Sequence, residues 1–239
     1  MPPETMTAVV LLVIALMVAA LGAALGWWPL AAWVRRSLRS PAGSQGERMS
    51  QRTVRISAAV VTAITFGLLG LRFAATWMLL PLLVFAAAAT VLALVDLIEH
   101  RLPNAVVFPA LGAVAALLLL ATLLTGRPAA FLFALAGAGA MFAVYLLLAL
   151  ISPGAMGMGD VKLALLIGLV LGWFGLSAWL IGLLAAFVIG GVIAVIGLAT
   201  RRVSLRGSIP FGPSMLAGAL VAVLVAGDVH SFIGMATLG

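Results

Sequence analysis

The sequence predicts an all-α, polytopic integral membrane helix bundle with about eight transmembrane helices, and with the N-terminus and the C-terminus outside. Hydrophobic residues make up 65% of the 239 positions, and charged residues only 8%. The mean hydropathy is +1.33, and apolar runs recur at about the 20-residue length that crosses a bilayer. A soluble core could not bury so much apolar surface. We therefore expect one membrane-embedded domain over residues 1–239.

Eight apolar runs, separated by charged residues, prolines and glycines, are the predicted spans. They are 6–34, 56–71, 77–95, 105–124, 129–151, 161–173, 177–199 and 213–232. The first ends just before Arg35, and the second lies between Arg55 and Arg72. The third ends just before Asp96, and the fourth ends shortly before Gly126.

The four later spans follow the same rule. The fifth begins after Pro128 and ends shortly before Pro153. The sixth is short and opens directly after Asp160. The seventh ends shortly before Arg201, and the eighth opens at Pro213. An even number of spans brings both ends of the chain to the same side of the membrane.

The basic residues predict the orientation of the bundle. The connection 35–55 carries six arginines against a single acidic residue, Glu47, and cytoplasmic connections are enriched in lysine and arginine. Alternation from this start leaves only Arg72 and Arg127 outside, so 11 of the 13 basic residues lie inside. We therefore expect a multi-pass protein of the inner (cytoplasmic) membrane. The arginine-rich connection is better explained as a topology signal in contact with anionic lipids than as a nucleic-acid site.

The chain contains no cysteine. This excludes disulfides, thiol nucleophiles and cysteine-ligated zinc sites. The sequence has no cluster of other metal ligands, and we expect neither a metal nor a cofactor. Any hydrolytic chemistry would therefore have to use other side chains.

Two of the six acidic residues occupy unusual positions. Asp96 ends the third span and Asp160 opens the sixth, 64 positions later, and the predicted topology puts both at the cytoplasmic face. A charged aspartate at the centre of a span costs about 2.5–3.5 kcal/mol, so an aspartate kept near the bilayer needs a reason. Two carboxyl groups that share a proton can act as acid and base on water and a peptide bond. We interpret Asp96 and Asp160 as a candidate catalytic pair.

The residues beside each aspartate fit this interpretation. After Asp96, the pair Pro103-Asn104 predicts a helix break, because the residue before a proline is pushed toward extended backbone. This puts Asp96 on the last turn before water. Gly157 and Gly159 predict a loop in which backbone can approach a substrate strand. Asp160 then begins a new helix.

Three segments together resemble a known family. Asp96 with the downstream run Arg101-Leu102-Pro103-Asn104 is the first, and Gly157-Met158-Gly159-Asp160-Val161-Lys162, of the form GxGDxK, is the second. The third is Ile209-Pro210-Phe211-Gly212-Pro213 at the start of the last span. In this order, on an eight-span background, they resemble the type IV prepilin peptidases, which are membrane aspartic proteases of the GxGD class. The resemblance covers roughly residues 77–232.

The resemblance implies an endopeptidase that removes the short basic leader of prepilin or pseudopilin precursors at the cytoplasmic face. Asp96 and Asp160 would be its catalytic residues, and its partners would be the precursor and membrane lipids, without nucleic acid. The residues expected to bind substrate or to shape the loops are Pro103, Asn104, Gly157, Gly159, Lys162, Pro210, Phe211, Gly212 and Pro213.

The chain differs from the bifunctional members of that family in one respect. Those members carry a larger cytoplasmic domain between the first two spans, often with paired cysteines, and they also N-methylate the new N-terminus. Here the corresponding connection has only about twenty residues and no cysteine. We therefore expect a peptidase without methyltransferase activity.

Several other residues have ordinary structural explanations. Lys162, the only lysine, either pairs with an aspartate, touches substrate or snorkels to the interface. Glu99 and His100 are expected to be solvated loop residues. Close helix packing is predicted for two glycine pairs, Gly137 with Gly139 and Gly190 with Gly191.

Two other classes of function stay open at this stage. A transporter or channel would use Asp96 and Asp160 as ion or proton ligands, but it would place charges near the middle of its spans. A catalytically silent scaffold for pilus or secretion assembly would keep its phenotype when either aspartate is replaced by alanine. The sequence predicts neither the particular precursor nor the oligomeric state.

Overall fold

The computed structural model describes residues 3–39, 50–74, 76–151, 156–200 and 210–236, and the side chains of all of these except 3–5 and 226–236. The helices are α1 (Pro3–Leu25), α2 (Ala31–Ser37), α3 (Gln51–Phe73), α4 (Leu79–Glu99), α5 (Asn104–Thr125), α6 (Pro128–Ile151), α7 (Met158–Trp173), α8 (Leu176–Ala199) and α9 (Gly212–Ala236). These ranges contain no strand, which confirms the predicted all-α class. Glu47 of the arginine-rich connection and Ile209 before α9 lie outside the described residues.

Each predicted span coincides with a helix. Helix α1 continues through one π-helical turn, Gly26–Leu30, into α2, so the first span is continuous from Met6 to Ser37. Six helical segments of the described part are long and apolar enough to cross a membrane. Helix α7 has only 16 residues, in agreement with the short sixth span of the sequence. The structure therefore confirms a polytopic membrane helix bundle.

Three pairs of helices pack at backbone distance through glycines. Between α1 and α3, a Cβ added at Gly22 would lie 2.7 Å from the carbonyl oxygen of Thr62. Between α6 and α7, one at Gly137 would lie 2.6 Å from the carbonyl oxygen of Gly168. Gly218 of α9 meets the backbone of α8 in the same way. Such contacts stabilise membrane bundles, because helix association in lipid depends on close van der Waals packing.

Only one glycine of each predicted pair lies close to a neighbouring segment, Gly137 against backbone and Gly190 against side chains. Gly137 faces α7, and Gly190 of α8 faces the start of α9. Among the described atoms, none lies within 4 Å of a Cβ built at Gly139 or Gly191. The predicted close packing is therefore correct for Gly137 and Gly190, and wrong for Gly139 and Gly191, because positions one or two apart on a helix point in different directions.

Helices α4 and α7 form the centre of the bundle. Helix α4 packs against α3, α5 and α9, and α7 packs against α5, α6, α8 and α9. Hydrogen bonds join the end of α4 to the start of α9, and the start of α5 to the start of α7. The C-terminal end of α4 and the N-terminal ends of α5, α7 and α9 therefore lie together at one end of the bundle.

Candidate active site

Asp96 lies in the last turn of α4 and is only 4% exposed. The N–H of Gly212, at the start of α9, donates a hydrogen bond of 3.1 Å to Asp96 Oδ2. Helix α4 ends at His100, whose left-handed backbone (φ 51°) redirects the chain toward α5. The predicted helix break thus begins about one turn after Asp96. The start of α9 supplies the hydrogen-bond donor to the Asp96 carboxylate.

Asp160 lies in the first turn of α7 and is 9% exposed. Gly157 precedes the helix with extended backbone (φ −76°, ψ 144°). The carbonyl of Gly157 accepts a hydrogen bond of 3.0 Å from the N–H of Asp160. The position at a helix start is the predicted one, and the helix dipole there favours a negative charge.

The two aspartates come together at this end of the bundle. Their carboxyl groups lie close enough to interact electrostatically. Leu102, in the connection between α4 and α5, is buried and packs near both Gly159 and Gly212. Both aspartates are buried. Residues from three helix ends and one connection therefore enclose a pair of carboxyl groups.

The glycines of the site differ in how strictly they must lack a side chain. A Cβ at Gly212 would lie 2.7 Å from Asp96 Oδ2, which is closer than non-bonded atoms approach. One at Gly159 would lie 3.1 Å from Leu102 Cβ, a tight contact. One at Gly157 would lie 3.6 Å from Asp160 Oδ2, an ordinary contact. Close approach therefore requires glycine at Gly212, favours it at Gly159, and does not require it at Gly157.

Lys162 and Asn104 connect the starts of two helices. Pro103 precedes α5 with extended backbone, and Asn104 is the first residue of that helix. Lys162 Nζ donates a hydrogen bond of 3.1 Å to Asn104 Oδ1. The bond is exposed to solvent, next to the buried pair. The sequence left three explanations open for Lys162, and none of them named Asn104 as its partner.

The segment Pro210–Pro213 leads into α9 and is half-buried on average. The ring centroid of Phe211 lies 5.4 Å from that of Phe187 and 6.3 Å from that of Tyr145. Pro213 lines an apolar cavity of about 240 Å³ between α3, α4 and α9. The segment thus contacts Asp96 through its backbone and the bundle interior through its side chains.

Glu99 is not the solvated loop residue that the sequence predicts. It is the last residue of α4, its side chain is 6% exposed, and it forms an ion pair with Arg101. The N–H of Arg39 donates a hydrogen bond of 2.8 Å to Glu99 Oε1, and Arg101 donates one to the carbonyl of Ser37. Glu99 and Arg101 therefore attach the end of α4 to the end of α2 and to the residues that follow it. His100 is exposed, as predicted.

Tyr145 is a residue of the site that sequence reasoning missed. This side chain of α6 is 1% exposed and lies within electrostatic range of Asp160. Its ring stacks on that of Phe187 in α8, with centroids 6.0 Å apart. The signal available in the sequence was a sole tyrosine within an apolar span, because a buried tyrosine hydroxyl usually has a polar neighbour.

A buried carboxyl pair is suited to acid–base chemistry. Two like charges a few ångströms apart do not both ionise readily, so a pair of this kind can hold one proton between its members. One carboxyl group can then donate a proton while the other accepts one. In the described ranges, no group of three or more His, Cys, Asp or Glu side chains is arranged to hold a metal ion.

Fold and site together define a class, a polytopic membrane protein with two buried aspartates where helix ends meet. The model of the type IV leader peptidase family matches residues 83–195, which include both aspartates. The prepilin leader peptidase/N-methyltransferase of Bacillus subtilis (strain 168) is 31% identical over 183 residues, which are 77% of this chain and 71% of that protein. The protein of the same name from Pseudomonas putida is 29% identical over 161 residues, 67% of this chain and 54% of that protein.

The chain therefore belongs to the type IV leader peptidase family. This confirms the resemblance that three short segments of the sequence indicated. No solved structure matches the chain significantly.

Proposed function

We propose that the protein is a prepilin leader peptidase in which Asp96 and Asp160 form the catalytic pair. One observation carries the proposal: these residues, 64 positions apart in sequence, are buried together and interact electrostatically. Membership of the family supports the peptidase activity. Burial supports the aspartic mechanism, because two neighbouring buried carboxyl groups disfavour folding and call for a functional reason.

The proposed mechanism begins with one ionised and one protonated carboxyl group. The ionised group takes a proton from a water molecule as the water oxygen attacks the carbonyl carbon of the scissile bond. The protonated group gives its proton to the carbonyl oxygen, which yields a neutral tetrahedral intermediate. The first group then gives the proton that it took from water to the amide nitrogen, while the second takes a hydroxyl proton from the intermediate. The C–N bond breaks and releases the amine and a new carboxyl group. The pair is left with one proton, as at the start.

The proposed site faces the cytoplasm. Arg39 and Ser37, at the beginning of the arginine-rich connection, hydrogen-bond to Glu99 and Arg101 near Asp96. The arginine-rich connection and the aspartates therefore share one end of the bundle. Because arginine-rich connections stay on the cytoplasmic side, this shared end supports a cytoplasmic active site in the inner membrane.

The proposed substrate is a prepilin or pseudopilin precursor with a short basic leader, in line with the names of the relatives. Both names also include N-methyltransferase, whereas the short connection without cysteine leads us to propose cleavage alone. The mass of the mature N-terminal peptide distinguishes the two. A product heavier by one methyl group would refute this part of the proposal.

Transport and a purely structural role account less well for the same residues. An ion pathway calls for charged groups near the middle of the spans. In the described residues, Asp96, Asp160 and the ion-paired Glu99 have buried side chains, and all three lie within a turn of a helix end. A silent scaffold gives no reason for two carboxyl groups to be buried side by side.

The decisive experiment is leader cleavage of a co-expressed prepilin-like precursor by the wild type and by Asp96→Asn and Asp160→Asn. A gel shift and the mass of the product report the cut. We expect each substitution to abolish cleavage while the protein still accumulates in the membrane, since amide side chains cannot exchange the proton. Normal cleavage by either variant would overturn the aspartic mechanism.

Asp228→Asn is the matched control. Asp228 lies in α9, and its 16-residue separation from Gly212 corresponds to about 24 Å along the helix. The same chemical change at this distance should leave cleavage at the wild-type level. Loss of cleavage in all three variants would point to a general effect of removing negative charge.

A further inference from the structure

Phe211 connects the aspartate pair to helices α6 and α8. It directly precedes Gly212, whose N–H is the hydrogen-bond donor to Asp96 Oδ2. Its ring packs with those of Phe187 and Tyr145 in an aromatic cluster, with centroid distances of 5.4 Å and 6.3 Å. The cluster therefore joins α6 and α8 to the residue that fixes the donor.

Gly190 of α8 provides the space that the Phe211 ring occupies. A Cβ added at Gly190 would lie 2.6 Å from Phe211 Cε2 and 3.1 Å from Phe211 Cδ2. Even one methyl group would thus push the ring out of its position. The neighbouring Gly191 has open space at its Cβ position among the described atoms, so only one of these two adjacent glycines is needed for the ring.

We propose that Phe211, held between Gly190 and the rings of Phe187 and Tyr145, is a positioning residue that keeps the Gly212 amide on Asp96. This inference rests on the proposed function. It explains how the catalytic geometry of Asp96 depends on the contact between Phe211 and α8. The donor belongs to backbone at the start of a helix. A ring fixed on three sides restricts that backbone, so the hydrogen bond is formed before substrate arrives.

The cluster also reaches the other member of the pair. Tyr145, which packs on Phe211, lies within electrostatic range of Asp160. His100, which follows α4, also lies within electrostatic range of Asp96. Displacement of the Phe211 ring should consequently alter the proton equilibrium of the pair as well as the geometry of one carboxylate.

The test compares Gly190→Ala with Gly191→Ala in the purified full chain. Both substitutions exchange glycine for alanine at adjacent positions within α8, so the change in helix propensity is the same. We expect Gly190→Ala to lower kcat by about tenfold, the effect of losing a hydrogen bond to a charged group, with little change in KM. Gly191→Ala should cleave like the wild type.

The pH–rate profile separates positioning from simple loss of folded protein. Partial unfolding lowers the rate by the same factor at every pH at which the fold persists. Loss of the Gly212 hydrogen bond removes a donor that favours the ionised carboxylate, so the acidic limb of the profile should move to higher pH in Gly190→Ala. An unshifted profile in a folded, slow Gly190→Ala variant would overturn the proposal.

A rescue experiment tests the same contact from its other side. Phe211→Leu shortens the side chain, and in the Gly190→Ala background it removes the clash. The double variant should cleave faster than Gly190→Ala alone, a coupling that independent sites do not give. Strictly additive effects would overturn the proposal.

Failure of this inference is distinguishable from failure of the proposed function. If Asp96→Asn and Asp160→Asn are inactive but Gly190→Ala cleaves with wild-type kinetics, the pair is catalytic and Phe211 does not position it. If either asparagine variant cleaves normally, the catalytic pair itself is wrong, and the positioning role falls with it.

Discussion

Gly212 lacks a side chain at the point where the backbone comes closest to a buried carboxylate. A Cβ there would lie 2.7 Å from Asp96 Oδ2, so Gly212→Ala must move either the carboxylate or the start of α9. We expect kcat/KM for leader cleavage to fall by at least about tenfold, because a hydrogen bond to a charged group contributes about 1.5–3 kcal/mol. Cleavage by the purified protein in detergent measures the effect.

Gly112→Ala is the control for that substitution. Gly112 lies within α5, and no described atom is within 4 Å of a Cβ built on it. This variant should accumulate and cleave like the wild type. Wild-type activity in Gly212→Ala would instead mean that the contact between α9 and Asp96 makes no contribution to cleavage.

For Lys162 we predict only a small effect on cleavage. Lys162→Met removes the 3.1 Å hydrogen bond to Asn104 Oδ1, which is exposed to solvent. Exposed polar pairs contribute about 1 kcal/mol or less, so we expect kcat/KM to stay within about fivefold of the wild type. A fall of about a hundredfold, with an unchanged melting temperature, would mean that the ammonium group acts on substrate or on the aspartates.

At the scale of single residues, position along the spans was enough to single out Asp96 and Asp160 as candidates and to predict that they lie at one end of the bundle. Polar groups at the ends of apolar runs stand out, because the bilayer excludes them from the interior. Glu99 could not be identified in the same way. Its partner Arg39 lies 60 positions away, so its burial depends on how α2 and α4 meet. Tyr145 likewise gains its role only from packing across helices.

At the scale of helices, Gly137 and Gly139 allow a test of the α6–α7 contact. In Gly137→Ala, the new Cβ would lie 2.6 Å from the carbonyl oxygen of Gly168 and 2.7 Å from the Cα of Gly172. The helices must then separate, which we expect to destabilise the fold by about 1–3 kcal/mol, the usual cost of overpacking. Thermal unfolding in detergent measures this as a lower melting temperature.

Gly139→Ala is its internal reference, since the space around Gly139 is open among the described atoms. Alanine favours a helix over glycine by up to about 1 kcal/mol, so this variant should be as stable as the wild type or slightly more stable. Equal destabilisation by both substitutions would show that the glycine-mediated contact between α6 and α7 does not determine stability.

The helices were predictable because the membrane fixes their length and composition. Which helices pack against each other was less predictable. The sequence marked Gly137–Gly139 and Gly190–Gly191 as packing sites without indicating which member of each pair faces a neighbour. The π-helical turn around Pro29 was also missed. A proline removes one backbone hydrogen bond, and the helix adjusts locally without ending.

At the scale of the whole molecule, the site depends on parts of the chain beyond the family match. The matched residues 83–195 supply both aspartates, but the donor to Asp96 comes from Gly212 in α9. The end of α2 and the residues after it also contribute, through Ser37 and Arg39. Sequence order could not predict this assembly, because the contacting segments are separated by whole spans.

The orientation of the molecule can be tested cleanly because the chain has no cysteine. Ser44→Cys in the arginine-rich connection and Met158→Cys beside the aspartates should both lie in the cytoplasm. Ala129→Cys, in the first turn of α6, lies beyond the 22 residues of α5 from the aspartate end, a distance of about 33 Å. It should therefore lie outside.

A membrane-impermeant maleimide applied to intact cells should label Ala129→Cys alone, and permeabilisation should expose the other two cysteines. Met158 is exposed at its helix start, so its cysteine is accessible once the reagent enters the cell. Labelling of Ser44→Cys and Met158→Cys in intact cells would reverse the orientation. The aspartates would then lie on the opposite side of the membrane from a cytoplasmic leader. Cleavage of such a leader would require an active site other than Asp96 and Asp160. Ser44→Cys and Met158→Cys report on two different segments. If only one of them is labelled in intact cells, the aspartates and the arginine-rich connection do not share one end of the bundle.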